Sequence, residues 1–233
     1  MQTHHRQQNF LAEAIQNETQ QLGLSLPDEV MTDLAAYAKS LWSWNDRLNL
    51  TRHTDVQQFV GRDITDTAAL CPHLIPNERI LDVGTGGGVP GVILAILRSD
   101  LTVELSDTSK KRSTALKAIL DEVGLPLKIH HQTAQQVALD ASSHNQSFDA
   151  LVIRAVAPLQ KLLTWFEPIS NSYGRLLVIK GPRWEAEKQE ARHHGFLKKV
   201  TARRIASWPI PGSDIESVLL EIKRRKTNNE TSS

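Results

Sequence analysis

The chain has a single cysteine among 233 residues and only 5% aromatic side chains. One thiol, Cys71, excludes an intrachain disulfide and cannot by itself make a zinc site. Set between Leu70 and Pro72 with no activating neighbour, it reads as a small core residue rather than a nucleophile. Charge of one sign is lacking too. The 27 Lys and Arg set against 26 Asp and Glu leave +1, so no global field pulls the chain to nucleic acid or a membrane, and binding of either must be local. No apolar run approaches the roughly 18 residues of a membrane span, and the start has no signal-peptide pattern. These absences predict a soluble, cytoplasmic protein with no metal site and no membrane partner. Its length fits one larger domain, or one domain plus an appendage.

What is present is concentrated in Arg79-Ile80-Leu81-Asp82-Val83-Gly84-Thr85-Gly86-Gly87-Gly88-Val89-Pro90-Gly91, followed by the apolar residues 92–97. The pattern is strand, glycine turn, helix. Closely spaced glycines let the backbone turn sharply and let a ligand approach where a Cβ would clash, and the following helix offers free N–H groups. Read from Gly86, the segment fits the dinucleotide pattern; read from Gly84 it fails, because Val89 stands at the third glycine position. Asp82 discriminates better. A carboxylate two residues before the first glycine would repel a pyrophosphate but suits a ligand with an ammonium group and no phosphate, such as S-adenosylmethionine. Its alternative role is to cap the N–H groups of the loop itself.

The remaining pattern predicts an N-terminal helical extension over 1–76, a doubly wound domain over 77–225 and a disordered tail over 226–233. In the extension, Phe10, Leu11, Ala14, Ile15 and Leu22 recur at helical spacing before Gly23. Ser25-Leu26-Pro27-Asp28 reads as a helix start with Ser25 as N-cap, and a long amphipathic helix follows to about Leu50. The polar runs 45–51 and 62–67 lead into the glycine strand and are candidates for one wall of its pocket. Strands are expected at 101–105, 128–132, 148–154 and 175–180, with helices between them. Two final strands, 200–208 and 217–224, are joined by so short a connection that they must form an antiparallel hairpin at the sheet edge. The fold class is therefore α/β: a Rossmann-like sheet of seven mostly parallel strands with an antiparallel last strand, the arrangement of class I S-adenosylmethionine-dependent methyltransferases. Asp107, closing the second strand, suits a hydrogen bond to a ribose diol or a helix cap. Thr133-Ala134-Gln135-Gln136 follows the third, where backbone and amide groups could read an adenine edge.

Taken together, Trp44-Asn45-Asp46-Arg47-Leu48-Asn49-Leu50-Thr51, Arg62-Asp63-Ile64-Thr65-Asp66-Thr67, the Asp82 to Gly91 loop, Arg154-Ala155-Val156-Ala157 and Lys180-Gly181 resemble the bacterial small-subunit ribosomal RNA methyltransferase G family over nearly the whole chain. The resemblance implies methyl transfer to N7 of a guanine in 16S rRNA. It implies cofactor contacts at Gly84, Val89, Ala134, Gln135 and Arg154, to which the loop pattern adds Asp82, Gly86, Gly88 and Asp107. The chain departs from the family pattern twice. Asp63 and Thr67 stand where Arg-His-x-x-Asp-Ser is usual, and Gln135-Gln136 replaces an acidic pair, keeping a hydrogen bond but losing charge.

Guanine N7 has a lone pair and no proton, so no indispensable general base is expected. Arg62, Asp66, Arg154 and Lys180 are positioning candidates rather than catalytic ones. RNA contacts are expected from Arg52, Arg62, Lys180 and Arg183, with His53 and Arg154 nearby, while Lys198-Lys199, Arg203-Arg204 and 223–226 read as a solvated face. With net charge near zero, RNA shape or ribosomal protein in the 30S subunit should supplement phosphate attraction; the protein is expected to be a monomer. The other readings are a methyltransferase acting on another acceptor and a non-catalytic cofactor-binding module of ribosome assembly.

Overall fold

The computed structural model describes residues 2–225, with side chains from residue 9 onward; the tail expected over 226–233 lies outside the described residues. Helix α1 (Gln2–Gln21) packs on α2 (Met31–Leu48). On α2, Leu34, Tyr37, Ala38 and Leu41 follow the i, i+3, i+4, i+7 rule and are wholly buried. Truncating one of the large ones to Ala would cost about 2–5 kcal/mol. Two expectations at this end are corrected. Phe10 is 75% exposed, because the buried stripe of α1 runs instead through Ile15 and Thr19. Ser25 caps nothing: Pro27 remains extended (φ −61°, ψ 141°), a three-residue turn (Asp28–Val30) precedes α2, and Asp28 instead accepts a 2.8 Å hydrogen bond from Gln16 Nε2 of α1.

The α2 helix stops where Asn49 enters the left-handed region (φ 47°) and its N–H bonds back to the Asn45 carbonyl. The Asn45 side chain accepts from the Thr51 N–H at 2.8 Å, and the Trp42 indole N–H donates to the His53 carbonyl at 2.8 Å, so the chain after α2 is fastened to it. Helices α3 (Val56–Gln58) and α4 (Thr65–Leu70) are joined without a break by wider π turns over Phe59–Ile64.

The sheet consists of β1 (Arg79–Val83), β2 (Thr102–Ser106), β3 (Lys128–His130), β4 (Phe148–Arg154), β5 (Tyr173–Lys180), β6 (Val200–Pro209) and β7 (Glu216–Arg224). Its order is β3-β2-β1-β4-β5-β7-β6. The first five strands pair in parallel, and β7 runs antiparallel between β5 and the edge strand β6. Helices α5 (Gly91–Leu97), α6 (Lys110–Val123), α7 (Ala134–Ser143), α8 (Leu159–Phe166) and α9 (Trp184–His193) cover it. One apolar core joins α1, α2 and residues 59–74 to α5, α6 and one sheet face; a second, around Phe148, Leu162 and Phe166, lies beneath α7 and α8. No helix among the described residues is long and apolar enough to cross a membrane. The crossovers leave the carboxyl ends of β1, β4 and β5 side by side, where an open α/β sheet has its crevice.

Candidate active site

The glycine loop turns out of β1 with Gly84, Gly86 and Gly88 at φ 65°, 57° and 109°, and the Val89–Pro90 peptide is cis. Asp82 fastens it from behind. Its Oδ2 accepts from Thr85 Oγ at 2.5 Å and from the Gly91 N–H at 2.9 Å, while its Oδ1 has no partner. Burial pushes the Asp82 carboxyl up to about 6, although the Thr85 and Gly91 bonds and the Arg154 charge pull the other way. The glycines have different tasks. At Gly86 the nearest atom to an added Cβ would be 3.9 Å away, so this position is open. At Gly88 a Cβ would lie 2.6 Å from Val92 and 2.9 Å from the Tyr37 hydroxyl, so this glycine faces the core. Gly87 is covered by Leu41 and the Leu50 carbonyl, and its own carbonyl accepts from Tyr37 Oη at 2.8 Å.

Across the crevice the π turns bring Asp63 and Asp66 to bear on Arg154, at the end of β4. Asp63 Oδ1 accepts from Arg154 Nη2 at 2.5 Å and contacts His53 Nδ1 at 2.7 Å. Asp66 Oδ1 accepts from the Trp208 indole N–H at 2.9 Å, and its Oδ2 lies 3.6 Å from Arg154 Nη1 and 3.8 Å from Arg62 Nη2. Burial alone would lower the Arg154 pKa, but the two carboxylates raise it above the ordinary arginine value. The next residue, Ala155, is held in the left-handed region at φ 54°, a strained conformation of the kind found at functional sites. From β5, Lys180 Nζ donates to the Ala157 carbonyl at 3.1 Å and pairs with Glu187 at 2.6 Å.

Between these walls lies a cleft of about 840 Å³, within the range of small-ligand sites. Of the residues singled out from sequence, Gly84, Gly86, Val89, Arg154, Arg52, Arg62, Asp66, Lys180 and Arg183 line it, as does His53. Asp82 and Asp107 stand behind the loop. The Asp107 carboxylate is fully engaged: Oδ2 accepts from the Gly86 N–H (3.0 Å) and Arg112 Nε (3.0 Å), Oδ1 from the Ser109 N–H (2.8 Å) and Arg112 Nη2 (2.9 Å). Ala134 is buried and Gln135 half-buried at the start of α7, away from the cleft lining, and Thr133 rather than either of them caps that helix. Sequence reasoning passed over Asp63 as an ion-pair partner, Ser217 and Trp208; only the departure at Asp63 gave any signal. Among the described residues the buried side-chain atoms without a hydrogen-bond partner are Asp63 Oδ2, Asp66 Oδ2, Asp82 Oδ1, Arg154 Nη1 and Ser217 Oγ. All five belong to this cleft or to the base of its glycine loop, and buried polar atoms left this way in a folded protein call for an explanation.

A seven-stranded sheet of this order, with a glycine loop after β1, an acid closing β2 and a cleft at the strand ends, defines a class I methyltransferase. Solved structures agree on the fold: the METTL16 MTase domain superimposes with TM-score 0.51 at 14% identity, covering 84% of this chain and 81% of that one. MtNAS in complex with MTA and tNA gives 0.51 at 12% identity, covering 84% and 73%. The family described as rRNA small subunit methyltransferase G matches residues 30–227. The protein named ribosomal RNA small subunit methyltransferase G from Rhodopirellula baltica is 40% identical over 191 residues, 82% of this chain and 80% of its own; that of a Marinomonas species is 34% identical, covering 72% and 79%. The chain belongs to this family.

Proposed function

We propose that the protein transfers a methyl group from S-adenosylmethionine to N7 of a guanine in an unpaired loop of 16S rRNA, working as a cytoplasmic monomer on free RNA or the 30S subunit. The observation that carries this reading is the set of unpartnered polar atoms gathered at one cleft. S-adenosylmethionine fits the residues present. Asp82 offers a carboxylate oxygen without a partner, suited to an ammonium group and hostile to a pyrophosphate, and Gly86 leaves open space where a Cβ would intrude. Asp82, Gly84, Gly86 and Val89 would hold its amino-acid part and Asp107 its ribose, taking bonds now given by Arg112; Ala134 and Gln135, outside the cleft lining, would meet the adenine only where it extends past the cleft toward the start of α7, and Gly88 supports the loop from the core. When bound, the cofactor supplies a methyl group made electrophilic by its sulfonium.

The protein's own residues then have to align and stabilise. A guanine N7 attacks with its lone pair and has no proton to lose, so no base is required and alignment carries the rate. Positive charge develops on the base as the bond forms. The buried Asp63 and Asp66 carboxylates, held against Arg154, would offset part of that charge where the base lies near them. Arg154, fixed by Asp63 and Asp66, and Lys180, fixed by Glu187 and the Ala157 carbonyl, cannot swing freely, which suits positioning groups.

The test is transfer from labelled S-adenosylmethionine to 30S subunits and to deproteinised 16S rRNA, both lacking the modification, with mapping of N7-methylguanine. The expected result is label in one guanine of an unpaired loop. Cofactor binding without transfer to either substrate would overturn the reading and put another acceptor or an assembly role in its place.

A further inference from the structure

We propose that a second cleft, at the opposite end of the sheet, binds the sugar–phosphate backbone of the RNA substrate at a distance from the nucleotide that is methylated; this rests on the function proposed above. The cleft has a volume of about 400 Å³ and is lined by Lys188 and Arg192 of α9, Lys198, Arg203 of β6, and Arg225 just beyond β7, with no carboxylate in its lining. Lys198 and Arg203 are exposed, as expected of a solvated face, and the fold also gathers them with three other cations into one concavity. None of the five has an ion-pair partner among the described residues, whereas the neighbouring Lys199 and Lys223 are tied to Glu167 and Glu221. Arg225 is oriented: its Nε donates to the Val200 carbonyl at 3.1 Å and its backbone N–H to the Lys199 carbonyl at 2.8 Å. Lys188, half-buried, lies over the Trp184 ring at 5.7 Å.

Five unpaired cations in a concave site repel one another, and a polyanion relieves that repulsion. The register fixes where this happens. Val218 of β7 lies beside Lys180 at the active-site end of β5, and Ile222 beside Leu176, so Arg225 lies level with the other end of β5. From Ser217, in the first cleft, to Arg225, in the second, an extended strand spans about 27 Å, so the far edges of the two clefts lie farther apart than one nucleotide reaches. Helix α9 and the residue before it connect the two: Arg183 and Glu187 line the first cleft, Lys188 and Arg192 the second. Backbone phosphates flanking the target loop are the anions that such a path would meet, and phosphate contacts of this kind fix register without reading sequence.

The test uses the full chain carrying K198Q/R203Q, two positions outside the active site, and measures equilibrium binding to unmodified 16S rRNA over a range of salt. The expected result is roughly tenfold weaker binding and a log–log salt slope shallower by about 1.5–2. Cofactor binding and thermal stability should be unchanged, and K198R/R203K should bind as the native chain does. Unchanged affinity and slope would overturn the proposal. So would a defect seen only with vesicles of anionic phospholipid, which would assign the cleft to a membrane surface. Methyl transfer is measured on the same RNA. If the native protein methylates it and the variant matches it in KM, only the second cleft's role fails. If the native protein methylates no RNA, the functional reading fails, and the binding comparison still decides whether this cleft holds RNA.

Discussion

The cleft at the carboxyl ends of the strands pairs most of its cations with carboxylates, whereas the cleft at the far end of β5 and β7 pairs none. In the first, Arg154 contacts Asp63 and Asp66, Arg62 lies near Asp66, Arg112 forks onto Asp107 and Lys180 meets Glu187. In the second, Lys188, Arg192, Lys198, Arg203 and Arg225 have no carboxylate partner among the described residues, although Lys188 lies over the Trp184 ring and Arg225 donates to the Val200 carbonyl. Pairing fixes a side chain at the expense of its reach; leaving it unpaired does the reverse. The difference separates two uses of positive charge within a chain whose sum is only +1: geometry where bonds are to be made, long-range attraction where a polymer is to be held.

The contrast breaks most visibly at Arg154. Substituting Arg154→Met leaves Asp63 and Asp66 buried without their common cation, and stability should fall by about 3–5 kcal/mol, measured by urea denaturation, with methyl transfer lost. Replacing all three together by apolar residues of similar volume should recover most of the stability and none of the transfer, which separates the cluster's structural cost from its use. Packing behind the same cleft sets the next effect. A Cβ at Gly91 would lie 2.4 Å from Leu105 Cδ2 and 2.7 Å from Asp82 Oδ2, so Gly91→Ala should cost about 1–3 kcal/mol and weaken cofactor binding.

Asp82 provides a pH test. Its carboxyl titrates near 3.8 when unfolded and at about 6 when folded, so between these values the folded state holds more protons. The stabilisation from its neutral form is complete below about pH 4 and disappears as pH rises through 6. Asp82→Asn cannot ionise; its thermal stability relative to the native chain should rise from pH 4 to pH 7, by about 3 kcal/mol at most, while cofactor affinity falls. Melting curves across that range check the sign. The smallest effect belongs to the second cleft: K198Q/R203Q should leave stability within about 0.5 kcal/mol of native. A large change there would mean that those cations serve the fold and would erase the contrast.

The glycine loop, the alternation of strands and helices and the terminal hairpin were legible because each is local: glycine spacing, apolar runs of strand length and a short connection. The cap of α6 was less legible: Asp107 is a candidate in the sequence, but the structure gives that place to Ser109, whose side chain accepts from the Arg112 N–H, while Gly124 at φ 71° closes the helix. Ser25 misled because a good capping residue was followed by a proline that stays extended. The Asp63–Arg154 pair was not legible. Its partners are far apart in sequence, and nothing in residues 59–64 announces that the helix widens there, the device that brings Asp63 and Asp66 onto one guanidinium. The second cleft was hidden for the same reason: its cations sit on α9, β6 and the end of β7, and in sequence each is merely one more surface charge. Net charge concealed it further, since carboxylates elsewhere cancel it in the sum but not in space.

Tyr37 gives the N-terminal helices a part in the dynamics of the glycine loop. Its hydroxyl holds the Gly87 carbonyl, and Leu41 and the Leu50 carbonyl close over the same residue. The loop therefore cannot open while α2 stays docked, and its amides should exchange with solvent as part of a cooperative unit that includes α2. A ligand that stiffens the loop would slow exchange along α2 as well, so occupancy of the cleft would be readable in a helix that never touches the ligand.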